Sequence, residues 1–106
     1  MKFFKLEDMT KGWFVGDFVP SAFNSKNVEV AVKNYKAGDK EPSHHHKIAT
    51  ELTLIINGKA VINGTIMTAG DIVLIEPSES SIFEVQEDTC TVVVKLPSSR
   101  NDKYLD

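Results

Sequence analysis

The chain has 106 residues, 42% of them hydrophobic and 25% charged, with a formal net charge of -3. That length and balance fit one globular domain and exclude a disordered chain. The negative charge and the lack of any Lys/Arg run argue against nucleic acid or an anionic membrane as partner. The single cysteine, Cys90, makes no internal disulfide. The longest apolar runs, residues 54–56 and 92–94 among them, fall far below the roughly 18 residues of a membrane helix. The opening MKFFKLEDMTKGWF does not read as a signal peptide, because Lys5, Glu7 and Asp8 interrupt its apolar residues. The expected location is cytoplasmic.

No long window keeps apolar residues at i, i+3, i+4 and i+7, so no helix is predicted. Residues 1–24 hold Phe3, Phe4, Trp13, Phe14, Phe18 and Phe23, six of the nine aromatic residues. Edge strands packed on the rest of the fold account for such a segment, and so does contact with a second copy. Residues 28–35 alternate, with Val28, Val30 and Val32 on one face and Glu29, Ala31, Lys33 and Tyr35 on the other. Ala37-Gly38-Asp39 ends that strand. Residues 51–56 and 59–62 form the next two, each followed by Asn-Gly, at Asn57-Gly58 and Asn63-Gly64. Both residues of Asn-Gly tolerate the positive φ of a type I′ turn, so two tight hairpins are predicted in succession. Residues 65–68, 72–75, 81–85 and 89–96 complete the set, separated by Ala69-Gly70, Pro77-Ser78 and Glu87-Asp88. Short strands at this spacing predict an all-β sandwich or barrel with little or no helix, its core in residues 25–97. The polar tail, 98–106, is expected to be loosely ordered.

All three histidines stand together as His44-His45-His46. In an extended segment His44 and His46 share one face and His45 takes the other. Glu51 follows five residues later. Two imidazoles and a carboxylate can hold a divalent transition metal, and with open positions the set suits Fe(II). Mn, Zn and Ni accept the same ligands, so ligand type does not name the metal. Two alternatives stand beside a metal site: direct hydrogen bonding of a polar ligand, and histidines satisfied by Glu51 inside the fold. Alone, two histidines one residue apart are a weak signal, equally at home in a polar surface loop.

The flanking residues extend the pattern. Gly38, five residues, His44-His45-His46, four residues, Glu51, six residues and Gly58 resemble the first motif of the cupin superfamily, G-x5-H-x-H-x4-E-x6-G, at every fixed position. Gly38, Gly58 and Gly70 are read as structural turn glycines. The second cupin motif, G-x5-P-x-G-x2-H-x3-N, starts at Gly70 and then departs. Glu76 stands for its proline, Ser78 for its glycine, Ser81 for its histidine and Val85 for its asparagine. In the family that histidine is a fourth metal ligand. A serine hydroxyl ligates a borderline metal poorly, so Ser81 marks a degenerate fourth-ligand position.

Residues 28–95 also resemble small stand-alone bacterial cupins. The resemblance implies a jelly-roll β-barrel, a metal at His44, His46 and Glu51, and a small polar metabolite, with sugar-related molecules among the implied ligands. Cupins include oxygenases, isomerases, lyases and non-enzymatic binders, and fold does not choose among them. A metal-dependent enzyme and a non-catalytic carbohydrate or metabolite binder with weak or no metal both stand. Lys33 and Tyr35 are candidates to orient an anionic substrate or to act as acid or base, if their strand face lines the barrel mouth. The competing reading of that face is a solvated exterior. Cys90 reads as a small apolar residue rather than a nucleophile, and Glu41, Glu76 and Glu79 as solvated turn residues. A homodimer is expected, because a domain of this size buries a modest share of its surface alone.

Overall fold

The period-two patterning is realised as strands throughout. The computed structural model describes residues 1–106. Its helical content is two single 3-10 turns, Leu6–Asp8 and Thr10–Gly12. Nine strands follow in order: β1 Trp13–Gly16, β2 Phe23–Asn24, β3 Glu29–Tyr35, β4 Lys40–His45, β5 Thr50–Ile62, β6 Thr65–Thr68, β7 Ile72–Ile75, β8 Ser81–Leu96 and β9 Tyr104–Leu105. One hydrogen-bonded path runs β2-β1-β3-β8-β4-β9, and β5 pairs with β6, β7 and β8. The long strands β5 and β8 run antiparallel from Thr50 opposite Leu96 to Ile62 opposite Phe83. Through β8 the fold joins β3 at one end and β4 at the other. The result is an all-β barrel, as the turn pattern predicts, of the jelly-roll kind that the cupin resemblance implies. No helix is long and apolar enough to cross a membrane.

One of the two expected Asn-Gly hairpins forms. Asn63 and Gly64 take φ of 47° and 81°, and Ile62 pairs with Thr65 across them. Asn57-Gly58 makes no hairpin. The strand continues through it, with register shifts against β8 between Ile55 and Ala60. Residues 81–85 and 89–96 are likewise one strand, not two. Bulges shift register without ending a ladder, and here pairing continues from Asn57 opposite Cys90 to Lys59 opposite Glu87. Gly58, at φ 101°, lies so close to β8 that a Cβ would overlap the Thr89 hydroxyl and the Asp88 carbonyl. Glycine is needed there for close strand approach rather than for a turn. Gly38 and Gly70 stand in turns as expected.

Ile55, Ala60, Ile62, Met67, Phe83 and Val85 form the apolar core, with Tyr35 and Val73 packed against it. The aromatic N-terminal segment divides. Trp13 turns toward the barrel interior, whereas Phe3 and Phe23 are 87% and 68% exposed.

The tail is not loose. β9 pairs with β4, setting Leu105 opposite His44 and Tyr104 opposite His45. Asp102 is buried, and its carboxylate accepts from the backbone N–H groups of Lys47, Ile48 and Ala49 at 2.9 to 3.2 Å. The polar residues that suggested disorder satisfy backbone donors that no ladder reaches.

Candidate functional site

A cavity of about 320 Å³ opens into the barrel. Its walls are the inner faces of β3, β4, β5 and β8, and Ile62 and Phe83 carry its lining into the apolar core. His44, His46, Glu51 and Ser81 all line it.

The histidine triplet divides as period-two geometry requires. His44 and His46 are each buried and face the cavity, their rings 5.4 Å apart and nearly perpendicular. His45 points the other way, donates from Nδ1 to Asp106 Oδ1 at 2.7 Å and stacks on Tyr104. Hydrogen bonds from Ser43, Ser80 and His45 hold the Asp106 carboxyl at about 2. His44 Nδ1 lies 2.9 Å from the Pro42 carbonyl oxygen. A carbonyl only accepts, so Nδ1 donates to it, and Nε2 is the lone-pair nitrogen of the neutral ring. Burial, with Lys95 and His44 nearby, lowers the His46 pKa to about 4. That ring is therefore neutral near pH 7.

Glu51 opens the cavity-lining part of β5. Burial pushes its carboxyl upward, against the pull of Lys95 and His44. Ser81 is buried directly opposite His44 in the β4–β8 ladder. As the side chains stand, no three His, Cys, Asp or Glu residues converge closely enough to hold an ion. The donor chemistry nevertheless fits a divalent metal: two buried imidazoles, one oriented by a backbone carbonyl, share a cavity with a carboxyl group.

The polar face of β3 turns inward, so the solvated-exterior reading of Lys33 and Tyr35 is wrong. Glu29 and Ala31 are 8% and 0% exposed, whereas Val30 and Val32 are only half-buried. A barrel that encloses a polar cavity reverses the usual sorting. Tyr35 donates to Glu41 Oε1 at 3.2 Å. Burial and Glu41 raise the phenol pKa, so the hydroxyl keeps its proton and donates it to Glu41. Glu41 is a cavity residue, not a solvated turn residue. The register shift between Glu41 and His44 brings both to the same side despite their odd separation. Glu76 and Glu79 are exposed in a turn, with the Glu76 N–H donating to Glu79 Oε1. Cys90 is half-buried and lies outside the cavity lining.

Sequence reasoning missed Lys95, Lys11 and Lys103, all cavity residues. Lys95 faces Glu29 on β3 and Glu51 on β5 across both ladders, and its Nζ pairs with Glu29 Oε2 at 4.0 Å. Its parity with Val93 was the available signal. Lys11 and Lys103 reach the site from the chain ends, where alternation says nothing.

No protein-family model and no curated protein matches the sequence. Solved structures do match. An uncharacterized conserved protein with a double-stranded beta-helix domain from Klebsiella pneumoniae is 25% identical, with a TM-score of 0.69 over 76% of this chain and 71% of that one. The DMSP lyase DddQ from Ruegeria pomeroyi is 18% identical, with a TM-score of 0.73 over 88% of this chain and 49% of the lyase. Oxalate decarboxylase from Bacillus subtilis is 22% identical, with a TM-score of 0.66 over 76% of this chain and 24% of the enzyme. That decarboxylase has Mn(II) centres. The chain thus spans about half of the lyase and a quarter of the decarboxylase. What these neighbours share with it is the double-stranded β-helix.

Proposed function

We propose that the cavity of this chain, whose fold is that of cupins, binds a small polar metabolite beside a divalent transition metal held by His44, His46 and Glu51. The observation that carries this reading is the pair of buried imidazoles, with the Nε2 lone pair of His44 freed by the bond from Nδ1 to Pro42. Glu51 is the third ligand once its carboxylate turns toward them. Ligation needs the ionised carboxylate, and burial raises the pH at which the proton leaves, against the pull of Lys95 and His44. Metal affinity therefore rises with pH above the ordinary carboxylate range. Bound Fe, Mn, Zn or Ni supplies a Lewis acid toward an oxygen of the metabolite. Ser81 offers a hydrogen bond beside His44, Tyr35 orients Glu41, and Ile62, Phe83 and Val93 keep water from the inner wall. The Mn(II) centres of the decarboxylase support a divalent metal without choosing which one.

A second reading is a non-catalytic metabolite or carbohydrate binder with weak or no metal. It is favoured by Ser81 in the fourth-ligand position and by the absence of a closed three-donor cluster. Metal analysis after purification without chelator or nickel resin separates the two. Stoichiometric Fe, Mn, Zn or Ni supports the first; none above background at near-millimolar supply leaves the second. Ser81→His adds an imidazole opposite His44, and calorimetric titration is expected to show metal binding tightened by at least about tenfold, or ~1.4 kcal/mol. Unchanged affinity would remove Ser81 from the site.

The proposal includes a cytoplasmic homodimer. Ile66, Ile72 and Leu74 are 59%, 64% and 54% exposed, and β7 pairs with β5 alone, which leaves its outer edge open to a second copy. Sizing chromatography is expected to give a dimer; a clean monomer at high concentration contradicts it.

A further inference from the structure

We infer that the Trp13 end of the cavity is an anion subsite, in which the Lys33 ammonium pairs with a carboxylate or phosphate group of the bound metabolite. The inference rests on the cavity being a ligand site, but not on the metal.

Lys33 projects from the inner face of β3 into the cavity. Its Nζ stands 5.0 Å from the centre of the Trp13 ring, and Lys95 Nζ lies 5.5 Å from the same ring. The two cations differ in their partners. Lys95 is neutralised by Glu29. Lys33 has no carboxylate within ion-pair distance, and the nearby Glu41 is engaged by the Tyr35 hydroxyl. Glu41 is the strongest opposing charge on this half-buried ammonium and acts from beyond ion-pair distance, so it and an exchangeable cation–π contact compensate the ammonium only in part.

The neighbourhood adds to the imbalance. Lys11, Lys95 and Lys103 all lie close enough for their charges to act on Lys33. Four lysines therefore line one cavity, in which Glu29 is paired with Lys95. A negatively charged group there would satisfy the free ammonium donors and relieve repulsion among the lysines. His44 and His46 line the same cavity, so the anion would bind beside the histidine wall. A volume of about 320 Å³ is at the small end for ligand pockets, so the ligand is a small organic anion and not a polymer.

Trp13 is the only tryptophan in the chain, so its fluorescence reports on this subsite directly. The probes are succinate, inorganic phosphate and the neutral analogue succinamide. Succinate or phosphate is expected to change Trp13 emission saturably in the millimolar range, and succinamide is not. The stronger of the two anions distinguishes carboxylate from phosphate recognition. Lys33→Met keeps the aliphatic stem and removes the charge; it is expected to weaken anion binding about tenfold, the worth of one charge-assisted hydrogen bond, with metal content and melting temperature unchanged. Lys33→Arg, which keeps the charge, is expected to retain binding. No saturable response to either anion, equal response to succinamide, or native affinity in a folded Lys33→Met protein would overturn the inference. A protein that holds no metal yet binds anion through Lys33 would reject the metal reading and keep this one. Metal loading with no anion response would do the reverse.

Discussion

His44→Ala and His46→Ala are each expected to come through a metal-replete purification without stoichiometric metal. Both imidazoles are buried in one wall of the cavity, 5.4 Å apart. His44 is held in one tautomer by Pro42. His46 titrates at about 4 because burial and the positive charge of Lys95 oppose protonation. Altering a residue that merely supports a metal ligand costs about 10–100-fold in affinity, so loss of a ligand itself is expected to exceed about 100-fold. His45→Ala is the control. That ring faces Asp106 and Tyr104 on the far side, and its loss leaves the donor set intact. Elemental analysis of the purified proteins checks the result. Full metal content in both His44→Ala and His46→Ala would place the metal elsewhere.

Asp102→Ala is expected to destabilise the fold by about 2–4 kcal/mol, with the largest part from buried donors left without an acceptor. Its carboxylate receives the N–H groups of Lys47, Ile48 and Ala49, the segment that links His46 to β5 and Glu51. Ala49 is 1% exposed, so water does not replace the acceptor there. The same substitution is expected to weaken metal binding, because it loosens the link between the imidazoles and Glu51. The pH dependence follows from the shift. Burial pushes the Asp102 carboxyl up, but the backbone N–H bonds of Ala49, Lys47 and Ile48 outweigh it and leave the pKa lowered. A lowered folded pKa means the stabilisation is fully present above the unfolded value and is lost as pH falls through the folded one. Urea unfolding at neutral pH is expected to separate Asp102→Ala from the native protein, with the gap narrowing in strong acid. Equal stability at neutral pH would contradict the role of the cap.

The barrel was legible in the sequence because turn chemistry and alternation are local. Asn63-Gly64 announces its hairpin, and the spacing from Gly38 to Gly58 carries both the fold and the residues at the cavity wall. Three things were not legible. Asn57-Gly58 carries the same signal as Asn63-Gly64, yet its conformation answers the approach of Thr89 and Asp88, residues some 30 positions away. Alternation gives relative faces only, and in β3 the valine face looked like the interior. A polar cavity instead draws Glu29, Lys33 and Tyr35 inward. The polarity of Asp102 and Asp106 suggested solvent, whereas both satisfy groups around the histidine segment. Lys11 and Lys103 reach the cavity from opposite ends of the chain, a convergence that only the folded topology makes.

The most direct test of the metal-assisted site is anomalous X-ray diffraction from crystals grown with a divalent metal, with data taken at that metal's absorption edge. A peak in the cavity within about 2.0–2.2 Å of His44 Nε2, of a ring nitrogen of His46 and of a Glu51 carboxylate oxygen is the predicted result. No peak there with metal supplied, or a peak away from these three residues, would contradict the account.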